Sequence, residues 1–174
     1  LLDGVAWVRL DKGGDPIAVR AGEVVIFPHG DAHLMGHGPP TEPVDNGAQI
    51  ERILAQQPGS IARMGGGGEL THIVCGYLVC EPHLGRLLFS GLPRVLAVPI
   101  RGVSSGQWIE GSIRFALAQA GPGARAVLTK LAEAVFMETL RCSLVRMPPG
   151  QTGWLAGVRD PILGRALTPL PRDP

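Results

Sequence analysis

The sequence predicts a mainly β protein with α: a barrel of short strands followed by an α-helical hairpin. Three observations carry this. Short apolar runs rich in Val and Ile, separated by turn residues, fill the chain to about Cys80. From about Leu84 the apolar period becomes helical. Gly (25) and Pro (16) are abundant, yet they cluster in loops without a fixed period, which excludes a solenoid.

In chain order, Val5, Trp7, Val8 and Leu10 make a first strand, and 11–15 (Asp-Lys-Gly-Gly-Asp) a turn. Ile17 and Val19 belong to a second strand, and Val24, Val25, Ile26 and Phe27 to a third, with a tight turn at Gly22. A polar Gly/Pro-rich loop follows Pro28 to about Pro43, then a short helix over 48–57. Gly65 to Gly68 form a flexible tetraglycine, and 71–80 read as a further strand. The four glycines are no phosphate loop, because Glu69 and Leu70 stand where that motif needs Lys and Ser or Thr.

In the second half, Ile109, Ile113, Ala116, Leu117 and Ala120 line one helix face, with Ser104 and Gln107 placed as a capping box. Pro122 and Gly123 break that helix. Val127, Leu128, Leu131 and Val135 then mark a second helix running to about Leu144. The helices, over 105–120 and 124–144, either cover the barrel or present second faces to another copy as a homodimer.

A formal net charge of +1, with 16 basic and 15 acidic residues and no basic stripe, excludes DNA binding by these residues alone. Three cysteines are too few for a secreted disulfide scaffold, and no apolar run approaches the ~20 residues that span a bilayer. The expectation is a cytoplasmic protein without membrane contact.

The candidate chemistry sits in two segments. One carries His29 and His33 after a strand, bent by Pro28 and Gly30 so that His33 points back toward a barrel interior. The other carries Cys75 and Cys80. Imidazole and thiolate suit tetrahedral Zn²⁺, so His29, His33, Cys75 and Cys80 are candidate ligands of one zinc ion. The cysteines are five apart and alternate across a regular strand, so joint ligation needs a bulge, for which Gly76 is placed. The plain alternative is that Cys75 is a buried small hydrophobe and the loop histidines are surface groups. The same thiols also allow a redox role, in which Cys75 and Cys80 pair or release a metal on oxidation. His37 reads as surface, His72 as facing away from Cys75, His83 as incidental, and Cys142 as core.

Gly22-Glu23, then Pro28-His29-Gly30-Asp31-Ala32-His33, resembles the second motif of the cupins. With Gly65–Gly68, Val74-Cys75-Gly76 and the stretch from Trp154 through Asp160-Pro161 to Gly164 and Leu167, the chain resembles the N-terminal cupin-type sensor domain of AraC/XylS-family transcriptional regulators. The resemblance implies a cupin-like double-stranded β-helix over 1–82, with further strands upstream of Gly4. It implies a helical dimerisation region over 83–150, and a lead-out helix or linker over 151–174. It further implies helix-turn-helix units beyond Pro174, so that DNA is bound by a domain outside these residues. The effector would be a small molecule, a metal or an oxidant, and the domain would not be an enzyme. The first cupin motif, His-x-His followed by Glu, is not found, which moves the expected site from catalysis to a closed His/Cys zinc centre. The competing reading is a free-standing metal-dependent cupin enzyme, a dioxygenase or isomerase of small molecules.

Overall fold

A computed structural model of the chain describes residues 1–38, 45–55, 63–65, 67–81, 83, 85, 89–118 and 123–146. The strands are β1 (Val5–Leu10), β2 (Ile17–Arg20), β3 (Glu23–Ile26), β4 (His33–Gly36) and β5 (Leu96–Pro99). The helices are α1 (Gly47–Ala55), α2 (Ser104–Ala118) and α3 (Ala124–Arg146). The expected lead-out over 151–174 lies outside the described residues.

The first sheet is antiparallel, in the order β2-β1-β4. The β1–β2 turn needs left-handed backbone, which Gly13 (φ 108°) and Gly14 (φ 103°) supply. Alternation along β1 buries Ala6 and Val8, and Val19 joins them from across the Ala6↔Val19 pair. On the opposite face Trp7 pairs with Gly36, and its ring occupies the space that a side chain there would fill.

The second sheet pairs β3 with β5 in antiparallel register, Val24 opposite Val98 and Ile26 opposite Leu96. Leu96, Val98 and Ile100 form a core with Cys142 of α3, and Val24, Ile26, Val103 and Leu140 pack against it. Cys142 is thus a core residue, as its place in the helical pattern suggests. Among the described residues the strands make two antiparallel sheets that do not join into a closed barrel.

Three expectations are corrected. The helical period does not run unbroken from Leu84, because β5 interrupts it. A four-residue apolar run cannot be told from a helix segment by period alone. Residues 71–80 are not a ladder strand. Within them only His72 forms a backbone bridge, to Asp3, and β propensity without a neighbouring strand makes no sheet. Ser104 is not the cap of α2. Gln107 N–H donates to the Val103 carbonyl, which puts the cap one residue earlier.

The helix over 48–57 appears as Gly47–Ala55, with the Asp45 carboxylate accepting from Gly47 N–H at 2.8 Å. Of the apolar face expected for α2, Ile109 and Ala116 are buried, Ile113 and Leu117 are half-buried, and Ala120 lies outside the described residues. Gly106, also buried, rests on the Ile100 carbonyl, an approach that any side chain would prevent. The start of α2 is tied to α3 through Ser105 Oγ, which donates to Glu138 Oε1 at 2.6 Å.

Candidate functional site

The histidine segment leaves β3 at Ile26, turns at Gly30 (φ 67°) and enters β4 at His33. Two contacts clamp it to the chain just ahead of β5. His29 Nε2 lies 3.1 Å from the Leu92 carbonyl, and Arg94 forms a two-pronged ion pair with Asp31 at 2.6 and 3.1 Å. The guanidinium of Arg94 holds the Asp31 carboxyl below its usual range. Asp31 and Arg94 were not singled out in the sequence. Their 63-residue separation hides the pair until β3 and β5 align.

His33 does not point inward. It is exposed, and its ring stacks on Phe27 with centroids 3.7 Å apart and planes within 9°. Its Nδ1 lies 3.0 Å from the Asp31 carbonyl. A carbonyl only accepts, so His29 and His33 each donate one ring N–H, and in the neutral form each retains one nitrogen lone pair. That is the tautomer a metal-ligating imidazole adopts.

Cys75 and Cys80 are free thiols on exposed residues, and Gly85 leaves room for the Cys80 sulfur. The Cys75 thiol is itself shielded, and this burial pushes its pKa up, which opposes thiolate chemistry at neutral pH. With no ladder over 71–80, neither the alternation constraint nor the bulge at Gly76 applies there. Among the described residues no group of three or more His, Cys, Asp or Glu side chains lies close enough to hold a metal ion. His29 and His33 share one loop, but the structure does not join them with Cys75 and Cys80 into such a group.

His72 is paired elsewhere: its Nδ1 lies 3.1 Å from Asp3 Oδ2. His37 is exposed, with Nδ1 2.8 Å from the Val5 carbonyl.

A second feature lies between the helices. Gln107, Trp108, Gly111, Ser112 and Phe115 of α2, with Ala126, Val127, Lys130 and Leu131 of α3, line an open groove of about 750 Å³. Trp108 (66%) and Phe115 (68%) are largely exposed, and together they make an aromatic patch of the kind that marks an interaction site. They stand seven residues apart, two helical turns, so the stripe was legible in the sequence beside the buried one. Among the described residues no helix is long and apolar enough to cross a membrane.

A family model described as Cupin matches residues 1–144. A protein of Streptomyces antibioticus named "Putative AraC-like transcription regulator" is 30% identical over 98% of this chain and 55% of its own length. One of the same name from Streptomyces lividans is 29% identical over the same shares. The chain thus spans about half the length of these curated relatives. No solved structure matches it.

Proposed function

The chain belongs to the cupin family, and from that footing we propose that it is the effector-sensing and dimerisation part of an AraC-type transcription regulator. The observation that carries this is the match of 98% of the chain to only 55% of relatives named as AraC-like regulators. The remainder of such a protein is where DNA would be read. The even charge balance, 16 basic against 15 acidic residues, fits a part that does not itself grip DNA.

In this reading the strands form a cupin-like barrel that receives the effector, and α2 and α3 form the hairpin that passes the signal on. The groove at Trp108 and Phe115 takes the same groove of a second copy, because a two-fold interface matches a surface to itself. No catalytic role is assigned.

The zinc site of His29, His33, Cys75 and Cys80 is a subsidiary proposal. The spare imidazole lone pairs support it, and it requires the two segments to come closer than they stand here.

The test compares two proteins by gel retardation on the promoter of the chain's own gene. The product that continues beyond residue 174 is expected to retard the DNA, and residues 1–174 alone are not. A longer product that binds no DNA at low salt overturns the reading.

A further inference from the structure

Among the described residues, the best-connected polar group lies outside both features above. Arg114 of α2 places Nη1 and Nη2 on the Asp3 carboxylate at 3.1 and 2.9 Å. Its Nη2 also reaches the Leu2 carbonyl at 2.8 Å, and Nε and Nη2 reach Glu110 Oε1 at 3.2 and 3.1 Å. Arg101, just after β5, bonds Glu110 at 2.9 and 2.7 Å and shares the Leu2 carbonyl at 3.2 Å. On its far side Asp3 meets His72 Nδ1 at 3.1 Å. Asp3 and His72 also bridge through their backbones, with His72 N–H donating to the Asp3 carbonyl at 3.0 Å and Leu2 N–H to the His72 carbonyl at 2.8 Å.

We propose that this network is a relay in which Arg114 couples the position of the segment at His72 to helix α2. The inference rests on the sensing reading above, and it names the path by which that signal would reach the helices. Three observations support a relay over ordinary surface pairing. The contacts join four separate stretches of chain, at 2–3, 72, 101 and 110–114. Among the described residues, Asp3 is the one carboxylate contacted both by His72 and by α2. Arg101 is pressed against Gly22, where a Cβ would fall 2.6 Å from its own, so the β2–β3 turn fixes it in place. A lone exposed pair contributes little, but a network with shared acceptors holds its members in one arrangement.

The test is single-amide hydrogen exchange on the chain, without effector or DNA, so it can fail while the sensing reading stands. Arg114→Gln removes the contacts to Asp3, Leu2 and Glu110. The amides of Leu2 and His72 should then exchange about fivefold faster, while the β3–β5 ladder at Val24 and Val98 is unchanged. Asp3→Asn cuts the same link from the other end and should raise exchange around Glu110 to Arg114 in α2. Lys130→Gln, at a separate ion pair with Glu133, should move none of these amides. Faster exchange confined to α2 in Arg114→Gln, or raised equally across the β3–β5 ladder, overturns the relay. Should Arg114→Gln not fold, Asp3→Asn decides alone: unchanged exchange in α2 overturns it.

Discussion

The indole of Trp7 lies over Gly36 and donates from Nε1 to the Gly38 carbonyl at 2.7 Å, so one side chain fixes the register of β1 on β4. A Cβ on Gly36 would fall 2.6 Å from Trp7 Cζ2. Gly36→Ala is therefore expected to destabilise the chain by about 1–3 kcal/mol, the usual cost of overpacking. Urea denaturation measures this. In a Trp7→Ala background the same substitution should cost little, because the ring that it strikes is gone.

Glu138 is the main acid-sensitive group. Arg141, Ser105 and Cys142 hold its carboxyl well below its usual range, at a pKa of about 2. The folded state thus binds the proton more weakly than the unfolded state. The resulting stabilisation is full above about pH 4.5, the unfolded value, and is lost as pH falls toward 2. Asp3, Asp31 and Glu110, also lowered, act in the same direction. Glu138→Gln is expected to lower stability by about 1–3 kcal/mol at neutral pH and to flatten the acid limb of the midpoint-versus-pH curve. A curve of unchanged shape would show that Glu138 does not carry it.

Cys75 should react slowly. Its raised pKa keeps it as a thiol at neutral pH, so alkylation by iodoacetamide is expected to lag behind a free cysteine and to go on rising with pH after the free cysteine has levelled off. Peptide mass mapping over time separates it from Cys142, which is buried and should react only on unfolding. If His29, His33, Cys75 and Cys80 form a zinc centre, the purified chain carries about one zinc ion, and Cys75→Ser lowers that content. Metal content that Cys75→Ser leaves unaltered removes Cys75 from the ligand set.

Phe115, two turns from Trp108 along the groove, is the position at which to test self-association. Phe115→Asp is expected to weaken a dimer at least tenfold without loss of helix, because an exposed aromatic ring adds little to the monomer. Sedimentation equilibrium reads the first effect and far-ultraviolet circular dichroism the second. Wild-type chain that stays monomeric at high concentration overturns the interface.

The elements legible in the sequence were those whose signal is local. β1, β2 and β3 announced themselves by Val and Ile runs between turn glycines, and α2 by its Ile109–Ala116 face. What was hidden depends on partners distant in the chain. Leu96–Pro99 becomes a strand because Glu23–Ile26 lies beside it. Residues 71–80 have strand composition, but only His72 forms a backbone bridge. In the candidate site, His29 and His33 stood out by residue type, whereas the contacts that orient them, to Leu92, Asp31 and Phe27, needed the fold. The Arg114–Asp3 pair, 111 residues apart, had no local signature at all.

The seating of Gly106 on the Ile100 carbonyl gives the start of α2 a fixed footing. Phe115 lies nine residues farther on, about 13 Å along the axis at ~1.5 Å per residue. Its neighbour Arg114 is tied to Asp3 and Leu2, so α2 is pinned at both ends of this span and presents its aromatic edge from a fixed strut.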